Sequence, residues 1–155
     1  MKKGFTMIEL IFVIVILGIL AAVAIPKLAA TRNDAKAASI KTDIGTAMQA
    51  IPSWFQGQKE ASFLNAMSLD TNVWTKQTKC QYIYSDDVGD TVTMGIYNEG
   101  NTTAIANCDV DANATTRPYL GIKLSVAHDG IVKQLNDNMG VKDINITLGG
   151  KKVKF

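Results

Sequence analysis

The stretch Gly4-Phe5-Thr6-Met7-Ile8-Glu9 runs directly into the apolar segment Leu10–Ile25, and together they decide how the first part of the chain folds. As a helix, Phe5–Ile25 would be about 31 Å long, enough to cross a hydrocarbon core of ~30 Å. The one charged residue in this segment is Glu9. Placing an ionised carboxylate in hydrocarbon costs roughly 3 kcal/mol of free energy. We therefore expect Glu9 to have a function and a partner.

The partner that we predict for Glu9 is an amine. If the chain is cut between Gly4 and Phe5, the new α-ammonium group of Phe5 has the required sign. In a stack of identical subunits, this ammonium could meet the Glu9 carboxylate of a neighbour and neutralise it.

The motif Gly4-Phe5-Thr6-Met7-Ile8-Glu9-Leu10 resembles the prepilin processing motif of type IV pilins and of the pseudopilins of type II secretion and DNA-uptake machines. Met1–Gly4 is similar to the short basic leader of that family. The resemblance implies that a prepilin peptidase cleaves after Gly4 and that Phe5 is then N-methylated. It also implies a single pass through the inner membrane with a periplasmic head, followed by assembly on an inner-membrane platform into a filament of identical or related subunits.

Gly18 and Pro26 match the two positions at which the N-terminal helices of this family are weakened. Glycine has a low helix propensity, and proline removes a backbone donor and crowds the preceding turn. We therefore expect a helix that bends or partly unwinds in a filament to do so there.

Two other interpretations use the same residues. In a secretory signal peptide, Lys2 and Lys3 would form the basic region, Ile11–Leu20 the apolar region and Ala22–Ala24 the cleavage site. In a simple membrane anchor, the same helix would span the bilayer once. Length does not separate these alternatives from a pilin, but an acid at the start of the segment favours the pilin.

Residues 26–52 are predicted to continue the helix as an amphipathic half. Its apolar positions at helical spacing are Ala37, Ile40, Ile44, Ala47, Met48 and Ile51. Because the residue before a proline avoids the helical conformation, Pro52 predicts that the helix ends at Ile51. The domain plan is thus a leader (1–4), a membrane and assembly helix (5–25), the amphipathic half (26–52) and a globular head (53–155).

The head is predicted to begin with a short helix, Gln58–Met67, and then to change to strands. Cys80–Ser85 and Thr91–Asn98 are rich in β-branched and aromatic residues, with a turn at Asp86–Asp90. Leu120–Val126 alternates apolar and polar residues, and Asp129-Gly130 after it predicts a hairpin.

A second hairpin is predicted from Ile144, Ile146 and Leu148, then Gly149-Gly150, then Val153 and Phe155. We expect an α+β fold in which the long helix packs on an antiparallel sheet. This is also the fold that the pilin resemblance implies.

The chain has two cysteines, Cys80 and Cys108. In an oxidising compartment, such a pair in a small domain predicts a disulfide, because zinc needs more ligands and His128 is the only histidine. Many pilins enclose a loop near their C-terminus with a disulfide, whereas here the chain continues well beyond Cys108. This departure favours a pseudopilin over an adhesive or motility pilin.

The polar stretch from Asn98 to Thr116 carries two further signals. Asp109, Asp111 and Asn113 match the opening of a calcium loop, but Ala114 replaces the glycine that its turn needs. Asn101, Asn113 and Asn145 each begin an N-x-T sequon with an acid two residues before. We keep these three asparagines as candidates for bacterial N-glycosylation.

No catalytic constellation, resident cofactor or direct DNA binding is predicted. Lys plus Arg is 16 against 14 acids, and loss of Lys2 and Lys3 leaves the two signs balanced. His128, beside Gly130, is interpreted as a turn residue. The predicted function is a structural subunit of a pilus-like filament, with a secreted or membrane-anchored periplasmic binding protein as the alternative.

Overall fold

The computed structural model describes residues 4–57, 66–100, 102–105, 108 and 117–148. They belong to two compact units, Met1–Lys36 and Ala37–Phe155. The elements are α1 (Met7–Gly57), β1 (Thr75–Thr78), β2 (Gln81–Ser85), β3 (Thr91–Asn98), β4 (Pro118–Ser125), α2 (Ile131–Asp137) and β5 (Ile144–Thr147).

In the first unit, the described residues form the N-terminal part of α1. Every residue from Gly4 to Ala35 is exposed, including large apolar side chains such as Phe5 (85%) and Leu28 (74%). Among the described residues, α1 is the one helix long and apolar enough to cross a membrane, by length and composition alone. Gly18 and Pro26 both lie within it, and neither interrupts the helix.

In the second unit, α1 buries one stripe, as its amphipathic pattern predicts. The stripe consists of Ala37, Ile40, Ile44, Ala47, Ile51 and Phe55. The predicted helix end at Ile51 is wrong, because α1 continues through Pro52 to Gly57. Phe55 extends the stripe by one turn, and burying a phenylalanine stabilises by about 2–3 kcal/mol, which offsets most of the ~3 kcal/mol that a proline costs inside a helix.

The five strands form one antiparallel sheet in the order β1-β2-β3-β4-β5. Together with α1 it confirms the α+β prediction. The predicted strands correspond to β2, β3, β4 and β5. β1 was not predicted, because Thr75–Thr78 is polar and mostly exposed and lacks the apolar alternation of a half-buried strand. Residues 58–65 of the predicted short helix and 149–155 of the second hairpin lie outside the described residues.

The hairpin prediction at Asp129-Gly130 is wrong, because helix α2 follows this pair. Ile131, Val132 and Leu135 recur at helical spacing, and all three are buried. Gly130 has an extended backbone, so it is not a turn glycine. A Cβ atom there would lie 2.4 Å from Asp86 Oδ2, so glycine permits the close approach of the β2–β3 turn.

Two polar contacts hold α1 to the rest of the second unit. The indole N–H of Trp74 donates to Asp43 Oδ2 at 2.8 Å, and Lys41 Nζ donates to the carbonyl oxygen of Met139 at 3.0 Å. The buried stripe of α1 and the sheet belong to one hydrophobic core, to which the sheet contributes Tyr82, Val92, Met94, Ile96, Leu120 and Ile122.

Two carboxylates join the β2–β3 turn to the chain after β4, one to the segment before α2 and the other to the first turn of α2. Asp90 is buried, and its oxygens accept hydrogen bonds from the backbone N–H groups of Ala127 and His128, both at 2.9 Å. His128 Nδ1 lies 3.0 Å from the same carboxylate. Asp86 accepts from the N–H groups of Asp90 (2.9 Å) and Val132 (3.3 Å).

The hydrogen bonds to Asp90 also decide how it ionises. Burial alone would raise the pKa of this carboxyl group, but the N–H groups of His128 and Ala127, together with the His128 side chain, lower it below its ordinary value. A carboxyl group whose folded-state pKa is lowered stabilises the fold above its unfolded pKa, about 3.9, and this contribution is lost as pH falls through the folded-state pKa.

We therefore predict that Asp90→Asn lowers the thermal unfolding midpoint at pH 7, because an amide presents one acceptor oxygen where the carboxylate presents two. The difference from the wild type should shrink as the pH is lowered toward 3. Thermal unfolding of the full chain in detergent, followed by circular dichroism, measures both effects. Asp87→Asn, an exposed neighbour in the same turn, is the control and should leave the midpoint unchanged. Equal midpoints for Asp90→Asn and the wild type at pH 7 would contradict the stabilising role of this carboxylate.

Candidate functional site

The first turn of α1 is closed by a reciprocal pair of hydrogen bonds between Thr6 and Glu9. The Thr6 hydroxyl accepts from the backbone N–H of Glu9 at 3.3 Å, and Glu9 Oε2 accepts from the backbone N–H of Thr6 at 2.9 Å. The Thr6 hydroxyl also donates to Glu9 Oε2 at 2.6 Å. This is a capping box, in which a side chain at each end satisfies a backbone donor that the helix leaves unpaired.

Sequence reasoning missed the cap, although its signal was present. Thr6-Met7-Ile8-Glu9 has the T-x-x-E spacing that is typical of a capping box before an apolar run. The interaction explains how the helix can begin inside an apolar environment, where unpaired N–H groups are costly. It does not neutralise the carboxylate, because both hydrogen bonds come from an uncharged threonine.

The two residues of the predicted processing site come directly before this cap in the chain. Gly4 and Phe5 precede the helix and are exposed, so the Gly4–Phe5 peptide bond lies outside regular secondary structure. Within the part of the chain that the structure describes, no cation pairs with Glu9, and its two hydrogen bonds from Thr6 both end on Oε2. Oε1 has no hydrogen bond from any described residue.

Cys80 and Cys108 are joined by a disulfide, with their Cα atoms 5.5 Å apart. Both residues are buried, so the bridge belongs to the core of the second unit. Cys80 precedes β2, whereas β4, α2 and β5 all follow Cys108 in the chain.

The metal and glycosylation candidates have different positions. Asp109, Asp111 and Asn113 lie outside the described residues, as does Asn101, and the described residues contain no group of three or more potential metal ligands. Asn145 is exposed on β5. The acid of its sequon, Asp143, accepts a hydrogen bond from the backbone N–H of Leu124 at 2.8 Å.

The fold and the N-terminal site together define a subunit class with one long apolar helix, a processing motif at its start and an α+β head. The prokaryotic N-terminal methylation motif matches residues 1–25. A fimbrial protein of Moraxella nonliquefaciens is 32% identical over 113 residues, which cover 68% of this chain and 71% of the relative. The chain belongs to the type IV pilin family. No solved structure matches it.

We predict that the disulfide persists in protein isolated from the cell envelope. Peptide mapping without reductant should link the peptide containing Cys80 to that containing Cys108. Reduction should lower the stability of the head by about 3.5 kcal/mol, the chain-entropy estimate for a loop of this size, and denaturant unfolding measures that difference. Two freely alkylated thiols would show that the bridge does not form in the cell.

Proposed function

We propose that this chain is the structural subunit of a type IV pilus-like filament, cleaved between Gly4 and Phe5 and assembled through α1. The observation that carries this proposal is the Glu9 carboxylate. It is held at the first turn of an apolar helix and has no cationic partner among the described residues. Exposed apolar side chains around it need lipid before assembly and neighbouring helices afterwards.

The ammonium of a cleaved and methylated Phe5 is the counter-ion that we propose for Glu9 of a neighbouring subunit. Cleavage creates this charge next to the helix, and Glu9 Oε1 accepts no hydrogen bond from the described residues, so it can receive an ammonium without opening the cap. Moving a charged group from the bilayer into a packed filament costs several kcal/mol of free energy if no oppositely charged group is there to pair with it.

Cleavage, methylation and assembly each need a partner. A prepilin peptidase and methyltransferase would process the chain, inner-membrane lipid would hold it in a single pass with a periplasmic head, and an assembly platform would move it into the filament. We propose a structural role and no catalytic role for the chain.

The fimbrial relative favours a pilus on the cell surface over a secretion apparatus. A pseudopilin of a type II secretion or DNA-uptake machine is the second candidate. The observation that favours it is the position of the disulfide, after which β4, α2 and β5 still follow. Deleting the gene discriminates between the two: loss of surface filaments supports the pilus, and loss of secretion or DNA uptake with filaments retained supports the pseudopilin.

We predict that the mature chain begins at a methylated Phe5. Intact-mass analysis of membrane and filament fractions should give a mass that lacks Met1–Gly4 and contains one added methyl group. A mature chain that begins at Ile25 would instead indicate a secretory signal peptide.

Replacing Glu9 should separate its charge from its role in the cap. Glu9→Gln keeps an acceptor for the Thr6 N–H but removes the charge, whereas Glu9→Leu removes both. Because the charge pairs with the neighbouring ammonium, we predict that both variants reach the membrane and are processed but yield no filaments in shear fractions.

The matched control is Thr6→Ala, which keeps the charge and weakens the cap by about 1 kcal/mol. Filaments should still form in this variant, because the remainder of α1 is long. Wild-type filament yield in Glu9→Gln, or loss of filaments in Thr6→Ala alone, would show that the cap and not the charge is what assembly needs.

A further inference from the structure

An open cavity of about 370 Å³ lies on the sheet surface where β3, β4 and β5 meet. It is lined by Glu99, Gly100, Arg117, Tyr119, Asn145 and Thr147. These residues come from three separate segments of the chain, and the sheet pairing brings them together, with Thr147 opposite Tyr119 and Asn145 opposite Gly121. The proposed function uses none of them.

One wall of the cavity is an aromatic side chain in a fixed orientation. Tyr119 stacks on Tyr97, with ring centroids 5.5 Å apart and planes 19° from parallel. Tyr97 is itself only 2% exposed, and Lys123 Nζ lies 4.2 Å from the centroid of its ring. A Cβ atom on Gly121 would come within 2.7 Å of the Tyr97 ring, so the glycine lets both rings lie flat over the strand. The aromatic wall is therefore formed before any ligand arrives.

The other walls carry exposed polar side chains. Glu99, Arg117, Asn145 and Thr147 are all exposed, and among the described residues none of their side chains makes a hydrogen bond or ion pair. Glu99 and Arg117 are joined through their backbones, with the Glu99 N–H donating to the Arg117 carbonyl at 3.0 Å. The cavity thus offers one carboxylate, one guanidinium, one amide and one hydroxyl, which combine donors and acceptors without a net charge.

We propose that this cavity binds a neutral sugar in the pyranose form. The C–H face of such a ring can pack on Tyr119, while its hydroxyl groups donate to Glu99 and accept from Arg117 and Asn145. An anion would meet the Glu99 carboxylate, and an apolar ligand would strip water from four polar groups without replacing their hydrogen bonds. The cavity is at the small end of the usual range for ligand sites, which suits one or two sugar rings.

The sugar can come from two sources, and they share this chemistry. It can be a saccharide outside the filament, or a glycan carried by the chain itself, because Asn145 in the cavity wall begins the sequon Asn145-Ile146-Thr147. The two sources are distinguished by the mass of the Asn145 peptide from native filaments. If the peptide carries a hexose-containing adduct, the sugar is the chain's own glycan. If the peptide is unmodified, the sugar is an external saccharide.

Saturation-transfer NMR on the full chain tests the binding itself. The protein is made in a host without an oligosaccharyltransferase and held in an amine-oxide detergent, because alkyl glycosides would compete for the site. The probes are the methyl glycosides of glucose, galactose and N-acetylglucosamine. We expect transfer to at least one of them, strongest at the C–H groups of one ring face.

Variants locate the binding at the cavity. Arg117→Ala and Glu99→Gln should each weaken binding at least fivefold, and Tyr119→Phe should retain it because the ring is unchanged. The matched controls are Lys76→Ala, on β1 at the opposite edge of the sheet, and Asp87→Asn, in the β2–β3 turn; both should bind as the wild type does. Absence of transfer from all three glycosides, or binding unchanged in both Arg117→Ala and Glu99→Gln, would overturn the proposal.

Discussion

The exposed apolar surface of α1 is the constraint on which the rest of the protein depends. Water cannot accommodate a continuous run of side chains such as Ile8, Phe12 and Leu17, each more than half exposed, without a large free-energy cost. Nearly every residue of this segment is apolar, so no single face of it can be turned to solvent. The segment must therefore be surrounded, first by lipid and then, as we propose, by copies of itself.

The same constraint explains why the helix begins as it does. In a medium without water, the first backbone N–H groups of a helix have no solvent partner, and Thr6 and Glu9 satisfy two of them. The cap uses one oxygen of the carboxylate and leaves the negative charge in place. One side chain can thus help to start the helix and still offer a charge to a neighbouring subunit.

In the second unit, charged groups stabilise connections and not the core. Asp86 and Asp90 bind backbone N–H groups of the chain that follows β4, so two connections at the same end of the sheet are held together by carboxylates. The disulfide adds a covalent tie within the core. With its connections fixed in this way, the sheet can present an aromatic pair and exposed polar side chains on one surface.

The amino-acid sequence by itself determined the parts of this protein that depend on local pattern. Helical spacing predicted the buried stripe of α1, and the motif around Gly4 and Glu9 identified the family. β-Branched and aromatic content predicted β2 and β3, and strand alternation predicted β4. The T-x-x-E spacing of Thr6 and Glu9 also predicts the capping box. Local pattern was sufficient here because side-chain periodicity and helix capping both depend on residues that are only a few positions apart in the sequence.

Tertiary structure decided the rest, because contacts between distant residues overrode local preference. Pro52 predicts a helix end, but burial of Phe55 carries α1 past it. Asp129-Gly130 predicts a hairpin, but the close approach of Asp86 and the burial of Ile131 make it the start of α2. The cavity was beyond sequence reasoning for the same reason. Glu99, Arg117 and Asn145 are far apart along the chain, and only the pairing of β3, β4 and β5 places them on one surface.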